Sequence, residues 1–230
     1  MSKKVALVQS NYIPWKGYFD LINLADEFIL FDSMQYTRRD WRNRNKIKSP
    51  QGEMWLTIPV EVKGKYLQKI NETAISDPTW NRVHWKTVSH IYSRAPYFHL
   101  YRALFEDLYL GSNERLLSQI NHKFIVAICE LLGINTRISW STDYRLLEGK
   151  TERIVDLCKQ AGADEYISGP TAKDYTDEEL FRKEGIALRY IDYSGYPEYR
   201  QLFPPFEHRV SVIDLIFNEG PGATKFMKSF

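Results

Sequence analysis

A chain of 230 residues, 43% hydrophobic and 26% charged, can bury a sizeable core in one large domain, which excludes a fibre, a disordered tail or a small staple-dependent scaffold. A formal net charge of +2 gives no global nucleic-acid-binding field, so charge is read segment by segment. No apolar run approaches the ~18 residues of a membrane span, and Met1-Ser2-Lys3-Lys4 before four apolar residues is too short for a signal peptide.

Val5 to Gln9 reads as a short apolar strand, Tyr18 to Ala25 as a helix apolar around most of its circumference, and Phe28 to Phe31 as a second buried strand. Strand, helix, strand in about thirty residues predicts a βαβ unit with a parallel sheet. Trp55 to Val60 is extended, with Pro59 restricting it to an edge or a bulge. Helical spacing then runs over Trp80 to Ser93, Tyr97 to Leu110 and Leu116 to Leu132, where Gly133 stops it. Residues 79–133 are therefore expected as a helical insertion within a single α/β domain spanning 1–230. The alternation resumes with a strand at Thr136 to Trp140, a helix at Thr151 to Ala161, a strand at Glu165 to Gly169, a short helix opened by a Thr176/Glu179 capping box, a strand at Ala187 to Tyr193 and a helix at Val210 to Phe217. Cys129 and Cys158 lie on apolar helical faces, so buried thiols in a reducing cytoplasm are expected rather than a disulfide.

The segment Gln9-Ser10-Asn11-Tyr12-Ile13-Pro14-Trp15-Lys16-Gly17-Tyr18-Phe19-Asp20 fills the first strand-to-helix connection, at the carboxyl edge where open α/β sheets bind ligands. Pro14 and Gly17 shape it, while Gln9, Asn11, Tyr12, Tyr18 and Asp20 bring donors and acceptors and Trp15 a wall. A plain loop capped by Asn11 and covered by Trp15 is the alternative. Residues 32–48 leave the second strand at the same edge and carry six cations against Asp32 and Asp40, interleaved with Tyr36 and Trp41. Guanidinium groups clamp phosphate oxygens in pairs, so Arg39, Arg42 and Arg44 are phosphate candidates, with Gln35 and Asn43 beside them. A solvated basic loop is the alternative there. Ser168-Gly169-Pro170, with Lys173 and Tyr175, sets amide groups and a hydroxyl after a strand, where an anion or an ordinary turn fits equally. The five histidines show no metal-ligand spacing, so no metal site is expected. His84 is a general-base candidate or a core residue, and Asp214 either points into the site or belongs to a helix surface.

The segment Gln9 to Asp20, the run Asp32 to Arg44, Ile167-Ser168-Gly169 with Tyr175, and Ser211 to Gly220 together resemble the WbqC-like family of bacterial polysaccharide gene clusters. The resemblance implies a part in O-antigen or lipopolysaccharide assembly, with transfer of glycine or a similar amino acid to an amino sugar. The first βαβ unit is also similar to the nucleotidylyltransferase superfamily, giving a Rossmann-like, mostly parallel sheet with an inserted helical region. The His-x-Gly-His signature of that superfamily is replaced here by Trp15-Lys16-Gly17-Tyr18. These readings combine into a cytoplasmic transferase that joins an activated acyl or aminoacyl group to the amine of a nucleotide-linked sugar. Asn11 and Tyr12, with Gln9, would hold the reacting groups, and Asp20, Asp32 or His84 would be the base. The donor would be an aminoacyl-tRNA, or a carboxylate activated with ATP. An ATP-dependent ligase and a non-catalytic sugar-nucleotide-binding protein are the rivals.

Overall fold

The computed structural model describes residues 2–230. Five parallel strands form the main sheet: β1 (Lys4–Val8), β2 (Glu27–Leu30), β5 (Arg137–Trp140), β6 (Glu165–Ser168) and β7 (Ala187–Tyr190), side by side in the order β5-β2-β1-β6-β7. Helices α1 (Lys16–Leu24), α5 (Thr151–Gln160) and α6 (Glu178–Lys183) make three of the crossovers. Between β2 and β5 the chain inserts a hairpin, β3 (Arg44–Ser49) with β4 (Gly52–Thr57), and the helices α2 (Trp80–Tyr92), α3 (Phe98–Leu110) and α4 (Leu117–Leu132). Helix α7 (Val212–Glu219) follows the sheet. The fold is Rossmann-like α/β, as expected.

Strand alternation divides the core. Ala6 pairs with Phe28 on one side and Ile167 on the other, and all three face the cluster built by α1, α2, α3, α4 and α7. Val5, Leu7, Ile29, Phe31 and Tyr166 face Val155, Leu157 and Cys158 of α5 and Phe181 of α6. Because both faces are covered, the strands read as continuous apolar runs. Cys129 and Cys158 are free and buried, one in each cluster, and burial pushes both thiols up to about 12.

Two local expectations change. The stretch 32–48, expected as a basic loop, ends in β3, where Asn45 and Ile47 are buried while Arg44 and Lys46 are less so. Its inward positions alternate polar and apolar, and that concealed the strand. Thr176 and Glu179 do not form the capping box. Asp177 caps α6 instead, accepting the Leu180 amide at 3.2 Å, and the Thr176 hydroxyl donates to the Ala172 carbonyl at 2.7 Å.

Buried carboxylates tie the layers together. Asp20, on α1, accepts from the Tyr196 hydroxyl at 2.6 Å and from the Lys228 and Ser229 amides. Asp214, on α7, accepts from Tyr92 (2.8 Å), Tyr199 (2.7 Å) and Gln201 (3.0 Å). Asp214→Ala strands these three donors in the interior, and a loss on the order of 3 kcal/mol or more is expected in urea denaturation. A loss below about 1 kcal/mol would show that water replaces the carboxylate freely.

Candidate functional site

Counted along the chain, the main sheet has strand order 3-2-1-4-5, so successive connections reverse direction between β1 and β6. Loops leaving two such strands diverge and open a crevice at the carboxyl edge. A cleft of about 720 Å³ lies there. Gln9, Asn11, Trp15 and Tyr18 line it from the β1–α1 connection, Met34, Trp41 and Arg42 from the stretch after β2, Lys150, Thr151 and Arg153 from the start of α5, and Ser168, Gly169, Thr171 and Tyr175 from the turn after β6.

Arg42 is the most firmly held cation of the wall. Its guanidinium donates to the Asn11 side-chain oxygen, to Gln9 Oε1 at 3.1 Å and to the Gln9 carbonyl at 3.4 Å, with Asp40 at 3.6 Å. Its own carbonyl accepts from Asn121 of α4 at 2.9 Å. Gln9 and Asn11 therefore aim the arginine. Tyr18 donates to the Gln9 carbonyl at 3.1 Å, fixing the same turn from α1. Ile13 sits at φ +37°, an outlier for a β-branched residue, and Asn45 of β3 holds it there by donating to the carbonyls of Tyr12 and Ile13 at 3.1 and 2.9 Å. Gly17 leaves room for the Trp15 indole: a Cβ at that position would lie 2.4 Å from the ring.

On the facing wall, α5 begins without a side-chain cap, at Gly149-Lys150-Thr151. Gly149, Lys150, Thr151 and Arg153 line the cleft there, and the Lys150 amide donates to the Glu152 carboxylate of the same turn at 3.2 Å. Arg153 donates to the Leu147 carbonyl at 2.6 Å and lies 3.8 Å from Glu148. Among the described residues, the wall holds three cations and several hydroxyls and no carboxylate or histidine.

Of the residues singled out in the sequence, Gln9, Asn11, Trp15, Tyr18, Trp41, Arg42, Ser168, Gly169 and Tyr175 meet at this cleft. The others stand elsewhere. Tyr12 is fully buried, its hydroxyl 2.9 Å from His84 Nδ1 and 3.0 Å from the Tyr109 hydroxyl. Asp20 and Asp214 make the interior ties described above. Asp32 is buried beneath the β1 turn, accepting the Ser10 amide at 2.7 Å and the Ser118 hydroxyl; burial raises its carboxyl despite those bonds and the nearby Arg42 charge. Gln35 donates to the Tyr66 carbonyl, and Asn43 to the Ile58 carbonyl. Arg44 lies over Trp55 and donates to the carbonyl of Arg39, itself exposed at φ +59°. Lys173 is exposed and outside the wall, and Tyr36 is buried. The helix-start residues Lys150, Thr151 and Arg153 carried a signal that went unused: Gly-Lys-Thr follows the β5 strand and opens a helix at the same sheet edge.

These positions define a Rossmann-like α/β protein with a cationic cleft at the switch point of its sheet. The model of the WbqC-like protein family matches residues 9–226, and the chain belongs to that family. It is similar to Uncharacterized protein Rv1507c of Mycobacterium tuberculosis, with 50% identity over 226 residues covering 98% of each chain. No solved structure matches this chain. Among the described residues, no helix is long and apolar enough to cross a membrane.

His84 has a chemistry of its own. Nε2 stands 3.2 Å from the Thr57 carbonyl, which only accepts, so Nε2 carries the proton and Nδ1 accepts from Tyr12. Burial lowers its pKa from 6.5 to about 4, the Thr57 contact opposing only in part. A depressed folded value means that the neutral ring stabilises the native state fully above 6.5, and that this contribution is lost as pH falls toward 4. The loss is on the order of 3 kcal/mol. In urea unfolding from neutral pH downward, His84→Gln should show a flatter decline than the wild type over that window; parallel declines would count against a neutral buried imidazole.

Proposed function

We infer that the cleft holds a nucleotide-linked amino sugar through its phosphates and that the protein transfers an activated acyl or aminoacyl group to the sugar amine, in the assembly of a surface polysaccharide. The observation that carries this reading is the pairing of Arg42, aimed by Gln9 and Asn11, with Lys150 and Arg153 at the start of α5 across one cleft. Phosphate oxygens suit both walls. Aromatic rings of Trp15, Tyr18, Tyr175 and Tyr193 offer surfaces for the sugar.

The amine nitrogen attacks the acyl carbonyl, the bond to the departing oxygen or sulfur breaks, and the amine proton leaves with that group. Such a step needs alignment and donors toward the carbonyl oxygen more than a resident base. Asn11 and the hydroxyls of Ser168 and Thr171 are the wall's donors for that purpose. Asp20 and His84 are committed to interior partners, which removes them as bases in this scheme. The free thiols Cys129 and Cys158 suit a reducing cytoplasm. The glycan context and a glycine-like donor come to this chain as what the family resemblance implies and are part of the same proposal.

A second reading, a sugar-nucleotide-binding protein without turnover, draws on the wall's lack of a carboxylate or histidine. Incubation with amino-sugar nucleotides and either glycyl-tRNA or glycine with ATP, followed by mass spectrometry of the sugar, separates the readings. An acylated sugar is expected. Product with ATP and release of pyrophosphate assigns an ATP-dependent ligase, and thermal stabilisation by the nucleotide sugar without product with either donor assigns the binding protein. Arg42→Ala should weaken nucleotide-sugar binding by about tenfold to a hundredfold, whereas Arg39→Ala should leave it within about twofold, since Arg39 does not line the cleft. Equal effects of the two variants would remove the phosphate role of Arg42.

A further inference from the structure

The mouth of the cleft carries an aromatic feature that the phosphate contacts leave unused. Trp41 and Trp55 keep 40% and 41% of their surface exposed, with ring centres 5.4 Å apart and planes inclined by 35°. The Arg44 guanidinium lies 4.1 Å from the Trp55 ring centre and the Lys46 ammonium 5.2 Å from it. Large rings normally gain by burial, and two neighbouring indoles left half-open beside a cavity mark a contact surface.

Their support is stiff. Trp55 stands on β4 opposite Lys46 of β3. Trp41 follows a turn in which Arg39 takes a left-handed conformation and Asp40 is fixed twice: it accepts the Trp41 amide at 2.7 Å and the Thr37 hydroxyl at 2.6 Å. The Trp41 carbonyl accepts the Tyr12 amide at 3.1 Å. Trp41 also belongs to the cleft wall and directly precedes Arg42. A flat ring lying on Trp41 would thus have a phosphate-binding guanidinium one residue away.

We propose that Trp41 and Trp55 form a stacking platform for the base of a nucleoside diphosphate whose phosphates lie at Arg42. This deepens the anionic-ligand reading of the cleft and rests on it. Stacking uses the π-face common to all bases, so the platform binds purine and pyrimidine nucleotides alike. A single-stranded RNA end offers the same base, but the observations favour a free nucleotide. The cleft has the size of a small-ligand site.

Calorimetric titration of the whole chain with uridine diphosphate, adenosine diphosphate and inorganic pyrophosphate tests the platform. Both nucleotides should bind about tenfold or more tightly than pyrophosphate, the order expected of one stacked base. Trp41→Ala should reduce that advantage to about twofold or less, Trp55→Ala should reduce it in part, and Trp41→Phe should retain most of it. Circular dichroism confirms that each variant is folded, and the Phe variant keeps the test decisive if the Ala variant is not. Nucleotides that bind no better than pyrophosphate, or an advantage that survives Trp41→Ala, would overturn the platform while leaving the anion cleft intact. Absence of binding by all three ligands would overturn both. A short single-stranded RNA that binds more tightly than the diphosphates, with the same dependence on Trp41, would overturn the nucleotide assignment in favour of RNA.

Discussion

Strand β1 is hydrogen-bonded in parallel to β2 on one side and β6 on the other, and the cleft depends on that double pairing. The chain winds outward from β1 through β2 to β5 and then outward again through β6 to β7, so the crossovers on the two sides run in opposite directions. The turn after β1 and the turn after β6 consequently part, and the space between them cannot be filled by either connection. All the other features of the site, from the arginine to the aromatic rim, are placed around this gap.

The hairpin inserted after β2 gives the gap its chemical character. Its Asn45 reaches back to the carbonyls of Tyr12 and Ile13 and keeps the first turn in a conformation that isoleucine resists, at a cost on the order of 1–3 kcal/mol met by the surrounding packing. The same excursion delivers Trp41 and Arg42 to the rim. Helix α4 supports it from below, with Asn121 bonded to the Arg42 carbonyl and to the Ser10 hydroxyl. The inserted segments thus act on the site by holding backbone, with few side chains of their own in the wall.

Much of the architecture was legible because apolar periodicity reports burial directly. The runs at Val5, Phe28 and Ile167 and the steps of three and four along α4 are statements about which atoms avoid water, and they placed strands and helices to within a few residues. Strand β3 was hidden because it buries the polar Asn45 on one face and Lys48 on the other, so polarity no longer tracked exposure. For the same reason the polar residues of the opening segment divided. Gln9 and Asn11 reach the cleft, whereas Asp20, three residues beyond Gly17, falls on the inner side of α1 and binds the Tyr196 hydroxyl. Composition indicates that an aspartate has a partner without saying whether that partner is a ligand or a tyrosine 176 positions away. The start of α5 was missed for a different cause: Gly149-Lys150-Thr151 after a strand is short and common, and only the sheet order shows that it opens at the same edge as the first turn.

The balance of charge around the cleft also bears on how the protein is handled. With Arg42, Lys150 and Arg153 facing inward and no acidic or histidine side chain on the wall among the described residues, small oxyanions are natural competitors for the same space. If the cleft holds phosphates as proposed, phosphate or sulfate buffers would compete for it, and affinities measured in them would understate the true values. Exchange into a buffer of bulky, weakly coordinating ions is thus a precondition for identifying the occupant.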